Sequence, residues 1–98
     1  MAKYELNVYD TKTGEVAKTL QKNFMPSALF IRYQQVLEKI NEDTDDTALF
    51  DNLKPLFLET FPDLTEKEYT DNTDVAEVLA LFRKVLNKAT TMESGKNA

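Results

Sequence analysis

A chain of 98 residues suits one compact domain with a single modest core and leaves no room for a second. Its 42% apolar and 30% charged residues are ordinary for a globular protein, which disfavours wholesale disorder. With no cysteine, disulfides, thiolate metal sites and thiol nucleophiles are excluded.

The formal net charge of -5 is unevenly placed, since residues 38 to 77 hold 13 acidic against 3 basic side chains. That segment repels a phosphate backbone, and the dispersed Lys18, Lys22, Arg32, Arg83, Lys84 and Lys88 make no groove, so nucleic acid is not the expected partner. No apolar run approaches the roughly 20 residues that span a bilayer, and the N-terminus joins no basic stretch to an apolar one. The sequence predicts neither export nor a membrane partner.

From Lys3 to Tyr9 the residues alternate, with Tyr4, Leu6 and Val8 on one face and Glu5, Asn7 and Tyr9 on the other, the period of a half-buried strand. A second run sets Val16, Leu20 and Phe24 against Ala17, Thr19 and Gln21. Between them, Asp10 suits a turn acceptor and Gly14 the positive φ that returns the chain to the ladder, so a hairpin is expected. An isolated hairpin is marginal in water and needs helices, or another chain, beneath its apolar face.

Pro26 opens a helix over about Pro26 to Asn41 that buries Leu29, Tyr33, Val36, Leu37 and Ile40. An acidic loop over residues 42–47 feeds a second helix, capped by Asp46 or Thr47. That helix buries Leu49, Leu53, Leu56 and Phe57, with Phe50 and Phe61 widening the stripe. Pro55 is expected to kink it or break it in two, and Pro62 to help stop it.

Thr65 and Glu68 have capping-box spacing, which predicts a short helix across Thr65 to Tyr69. A loop over Asp71 to Asp74 leads to a last helix burying Val75, Val78, Leu79, Phe82, Val85, Leu86 and Ala89, with Lys84 and Lys88 towards its end. Apolar periodicity stops after Thr90. The expected fold is therefore α+β, mostly α: an N-terminal hairpin packed on a small bundle of three to four helices. One domain covers residues 1–90, and residues 91–98 form a flexible tail.

The chain has no histidine, the usual general base, so only carboxylates and hydroxyls remain for chemistry. The acids crowd into loops and helix starts, where dipole complementarity already explains them. Asp43, Asp45, Asp46 and Thr47 fail as a calcium loop, because Ala48 stands where glycine makes the sharp turn and Lys54 where a glutamate closes the site. Gly14 and Gly95 are the only glycines, so no Gly-rich phosphate loop exists. The sequence therefore predicts no enzyme, no cofactor and no metal.

Aromatic and apolar side chains are the remaining candidates for contact with other molecules. Phe57, Phe61 and Phe82 fall within the apolar stripes, while Ile31 and Leu58 point away from theirs and Tyr9 lies on the outer hairpin face. The candidate partner-binding residues are Tyr9, Ile31, Phe50, Leu58 and Phe61.

The order of segments runs from the hairpin Tyr4 to Gly14, through a helix and acidic linker, to Leu53-Lys54-Pro55-Leu56-Phe57-Leu58-Glu59-Thr60-Phe61. Then come Leu64-Thr65-Glu66-Lys67-Glu68 and Asp71 to Asp74 leading into Val75-Ala76-Glu77-Val78-Leu79-Ala80-Leu81-Phe82. Over nearly its whole length the chain resembles the tail assembly chaperones of long-tailed phages and prophages of Gram-positive bacteria. The resemblance implies a protein of the host cell cytoplasm that binds the tape measure protein, keeps it soluble and promotes tail tube polymerisation around it. It also implies absence from the mature virion, and a frameshift-extended form whose extension recruits tail tube protein. Self-association is compatible with the same apolar faces. A different reading of the acidity is a small regulator or nucleic-acid mimic that occupies a partner's basic groove.

Overall fold

A computed structural model describes residues 4–41 and 43–97, with side chains described as far as Asn87. Two strands, β1 (Tyr4–Tyr9) and β2 (Val16–Lys22), precede four helices, α1 (Ser27–Glu38), α2 (Asp46–Thr60), α3 (Glu66–Asp71) and α4 (Val75–Asn97). The fold is α+β and mostly α, as the periodicities predict.

The strands pair antiparallel in a register that sets Leu6 opposite Leu20 and Asn7 opposite Thr19. Asp10 directs the turn: its carboxylate accepts the Lys12 N–H at 2.8 Å, and its carbonyl accepts the Gly14 N–H at 2.8 Å. Gly14 sits at φ +76°, a conformation that only glycine adopts without strain. Tyr4, Leu6, Val8 and Leu20 are buried, and β1 rests on α4.

The expected inward set on β2 needs correction, because only Leu20 of Val16, Leu20 and Phe24 is buried. The register slips between Val8 and Tyr9, so Val8 faces Lys18 while Tyr9 faces Val16. Ala17 becomes the extra residue of a bulge, which carries Val16 to the outer face with Tyr9. Phe24 lies past the end of the strand, exposed, with the Lys22 ammonium 5.6 Å from its ring centre.

Pro26 is the cap of α1 and not a helical residue, its carbonyl accepting the Leu29 and Phe30 N–H groups at 3.0 Å each. Leu29 and Tyr33 are buried, with Val36 and Ile40 half-buried against the same core. Leu37, expected inside, is exposed. It lies one step round the helix from Tyr33 and Val36, beyond the reach of the neighbours that cover them.

Asp45, one residue earlier than predicted, caps α2 by accepting the Ala48 N–H at 2.8 Å. The helix then runs through Pro55 to Thr60 in one piece. A proline inside a helix costs about 3 kcal/mol, whereas each of the buried Leu53, Leu56 and Phe57 returns about 1.5–3 kcal/mol. Pro55 and Asp51 are both exposed, on the outer side of the helix. Phe61 is extended (φ -122°, ψ 90°), as the residue before Pro62 must be to leave the α region.

Thr65 and Glu68 form the predicted capping box, with reciprocal bonds of 3.0 and 3.1 Å. In α4 the side chains of Val78, Leu79, Leu81, Phe82 and Val85 are buried, while Val75 is exposed at the first turn. Leu81 was not foreseen because it lies off the main stripe; it borders the hairpin beside Glu5, so α4 is covered on two sides. The backbone of α4 continues to Asn97, past the end expected near Thr90. Ala89, Lys88 and the tail over residues 91–98 fall outside the residues with described side chains.

The core centres on aromatic rings. Phe57 meets Tyr33 edge-on at 6.1 Å, Phe61 at 6.3 Å and Tyr69 at 5.6 Å, and Phe82 approaches Tyr33 from α4 at 6.2 Å. The Thr60 hydroxyl donates to the Leu56 carbonyl at 2.7 Å, so the Tyr33 hydroxyl donates to Thr60 Oγ1, also at 2.7 Å. Because Phe57 alone touches rings from α1, α3 and its own helix end, Phe57→Ala removes about 3–5 kcal/mol of stability. Urea denaturation reads that loss, and a cost below about 1 kcal/mol contradicts the packing described.

Candidate interaction surface

Among the described residues five large apolar side chains are exposed, namely Val16, Phe24, Ile31, Leu37 and Val75, and three of them belong to α1 and its approach. Phe24 is 65% exposed, Ile31 54% and Leu37 44%. Phe30 and Met25 lie half-buried beside them. On a helix of 3.6 residues per turn, Phe30 and Leu37 share one flank, while Ser27, Ile31, Gln34 and Glu38 share the outward strip. The opposite flank meets α2, where Arg32 pairs with Glu59.

Of the five residues proposed from sequence, Ile31 alone is exposed on the surface of a helix. Tyr9 is half-buried, its hydroxyl donating to Glu77 and its backbone N–H and C=O both bonded to Asn72, at 2.7 and 2.8 Å. Phe50 is half-buried and stacked on Tyr69 at 4.3 Å. Leu58 is half-buried against the core.

Phe61 is 2% exposed and cannot meet a partner. It follows α2 in an extended conformation that turns its ring onto Phe57. The structure therefore does not gather the five on one face. Phe24 and Leu37 were missed because both were assigned to buried stripes; the exposed part of the first follows from the strand ending at Lys22.

A second feature is polar and links the hairpin to α4. Glu77 accepts from the Tyr9 hydroxyl and from the Asn7 amide at 3.3 Å, and Asn7 accepts from Thr19 at 2.8 Å. Beside it, Tyr9, Thr11, Asp71, Asn72, Thr73 and Asp74 line an open groove of about 350 Å³. The bond to Glu77 raises the Tyr9 phenol pKa above its usual value, and burial raises those of Tyr33 and Tyr69.

The acidic loop before α2 is organised by an Asn41 side chain that caps its backbone, Oδ1 accepting the Asp43 N–H at 2.8 Å. Among the described residues, no three acidic side chains converge on a point where a metal would sit, and no helix is long and apolar enough to cross a membrane. Comparison with known proteins returns nothing: no family model, no curated protein and no solved structure matches this chain.

Glu68 is the carboxylate with the clearest electrostatic role. The Thr65 backbone N–H, and then the Lys18 ammonium at 3.0 Å, hold its pKa below the usual carboxylate range. A depressed carboxylate stabilises the fold fully above its unfolded pKa, and that contribution is lost as pH falls through the folded value. Glu68→Gln should therefore lower the urea midpoint at pH 7 and leave it equal to the unmodified protein's in acid below the folded pKa. A difference that persists undiminished in acid contradicts this assignment.

Proposed function

We propose that this chain is a phage tail assembly chaperone, which works by binding and not by catalysis. It holds the tape measure protein soluble in the cytoplasm of the infected cell, promotes tube polymerisation around it and stays out of the virion. A frameshift-extended form brings in tail tube protein. The observation that carries this reading is the exposed apolar set Phe24, Ile31 and Leu37 on and just before α1.

The physical argument runs from surface to client. A tape measure chain is a very long helix whose apolar stripe aggregates when bare. Half-buried Phe30 and exposed Leu37 on one flank of α1 offer i and i+7 anchors to such a stripe, with exposed Ile31 on the adjoining strip. Net charge of -5 then keeps the complex apart from its copies. The residue inventory supports binding as well, since no histidine or cysteine is present to serve as base or nucleophile.

Co-expression tests the reading. A tape measure protein from the same genome should move from the pellet to the soluble fraction severalfold when this chain is present. Ile31→Glu with Leu37→Glu should abolish that effect, whereas Asp43→Asn, Asp45→Asn and Asp46→Asn together should leave it intact. A tape measure protein equally insoluble with and without the chain refutes the proposal, and loss of the effect only in the asparagine variant favours the acidic regulator.

A further inference from the structure

The two edges of the hairpin differ. Along β1, the Tyr9 N–H donates to the Asn72 carbonyl and the Asn72 amide donates to the Tyr9 carbonyl, so this edge is closed next to α4. Those bonds also fix the direction of the backbone. Tyr9 points its N–H and C=O away from β2, and residues two apart on a strand point the same way, so Asn7 and Glu5 do too. Their partners across the ladder, Thr19 and Gln21, therefore present both backbone groups on the far side of β2. That side is open: Val16 to Thr19 and Gln21 are exposed, and among the described residues no backbone bond from outside the hairpin reaches Thr19 or Gln21.

The open edge borders a hollow of about 170 Å³, with Thr19, Leu20 and Gln21 on one wall and Phe61, Pro62 and Asp63 on the other. Successive strand residues alternate between faces, so all three border one hollow only along the strand edge, on the side that β1 leaves free. A strand laid on this edge bonds to Thr19 and Gln21, and its residue opposite Leu20 turns inward to the hollow. The next inward position faces Lys22, whose ammonium lies over the Phe24 ring and has no ion-pair partner among the described residues. Lys18, on the other side of Leu20, already pairs with Glu68.

From this we infer that the open edge of β2 docks an extended segment of another protein as a third, antiparallel strand, with an aliphatic side chain opposite Leu20 and a carboxylate opposite Lys22. In chain order that segment reads acid, any residue, aliphatic.

A second copy of this chain fits the edge badly. Pairing β2 with β2 antiparallel, Thr19 opposite Thr19 sets Lys18 against Leu20, and Gln21 opposite Gln21 sets Lys22 there, so a lysine meets the hollow in both registers. Thr19 opposite Gln21 sets Lys18 against Lys22 twice over. Lysine on a bare edge guards against such self-pairing. Residues 16 to 37 hold Lys18, Lys22 and Arg32 and no acid, so the local charge selects an acidic segment although the whole chain is at net -5. The edge is separate from α1, and docking there is independent of the chaperone reading.

An NMR titration of the isotope-labelled full chain with the end-blocked peptide Thr-Glu-Thr-Val-Thr-Thr tests the proposal on the unaltered protein. Saturable binding should shift the Thr19 and Gln21 amide signals and slow their exchange with solvent, and leave the Tyr9 amide where it was. A methyl group on the nitrogen of the threonine before or after the valine should weaken binding about tenfold or more, because that N–H is donated to β2. The same methyl on the valine nitrogen, which points to solvent, should change affinity by less than about threefold. Replacing the peptide glutamate by lysine should weaken binding about fivefold, and Lys22→Glu in the protein should reverse that preference. No binding at about 1 mM peptide, indifference to the site of methylation, or equal affinity for the two peptides would each overturn the proposal. Thr19 and Gln21 signals that move with protein concentration alone, with a rise in mass on sedimentation, would also overturn it in favour of a second copy. Because no tape measure protein enters this titration, failure here leaves the co-expression result untouched.

Discussion

Tyr33 is the side chain on which the arrangement of α1 depends. Its ring is wedged between Phe57 of α2 and Phe82 of α4, and its hydroxyl, 1% exposed with the rest of the residue, reaches Thr60 at the end of α2. A buried hydroxyl without a partner costs about 1–3 kcal/mol, so α1 has one rotational setting that satisfies both ring and hydroxyl. That setting turns Leu29 inward with Tyr33, and it leaves Ile31 and Leu37 in water. The exposed face is thus a consequence of the core and not a defect in it.

The hairpin is secured by a different kind of contact. Two strands alone are marginal, and here their apolar face is closed by α4 while polar bonds fasten both strands near the turn. Tyr9 is tied to Asn72 and Glu77, and Lys18 to Glu68 and the Asp63 carbonyl. Hairpin, α2, α3 and α4 thereby enclose one another. Among the described residues no element covers the outer side of α1, and Phe24, Ile31 and Leu37 are exposed there, with Val16 on the sheet and Val75 on α4 the other large apolar side chains in water.

Local chemistry made much of this legible in the sequence. The turn from Asp10 to Gly14 and the capping box of Thr65 and Glu68 were readable because each is decided by residues within a few positions. The errors arise where a distant contact decides. A bulge at Ala17 turned Val16 outward, which a strict period of two cannot reveal. Burial of Leu53, Leu56 and Phe57 carries α2 through Pro55 without the break that was one of two expected outcomes there, overriding a local penalty. Leu81 is buried because the hairpin lies over a second side of α4, and Leu37 is exposed because nothing lies over its flank. The candidate site suffered most: Ile31 was identified from its position off the stripe, but Phe61, read as part of the apolar stripe and also offered as a partner contact, is core, and Phe24, expected inside, is exposed.

The proposed function rests on an apolar helix face that the core holds open. The absence of any native cysteine allows that face to be measured directly with single cysteines introduced at positions 29, 31 and 37, one per variant. In dilute solution, thiols at positions 31 and 37 should react with a water-soluble maleimide nearly as fast as in urea, and the one at position 29 should be slower by orders of magnitude. Equal reactivity at 29 and 31 would mean that Tyr33 does not set the rotation of α1, and the account of the surface would fall with it.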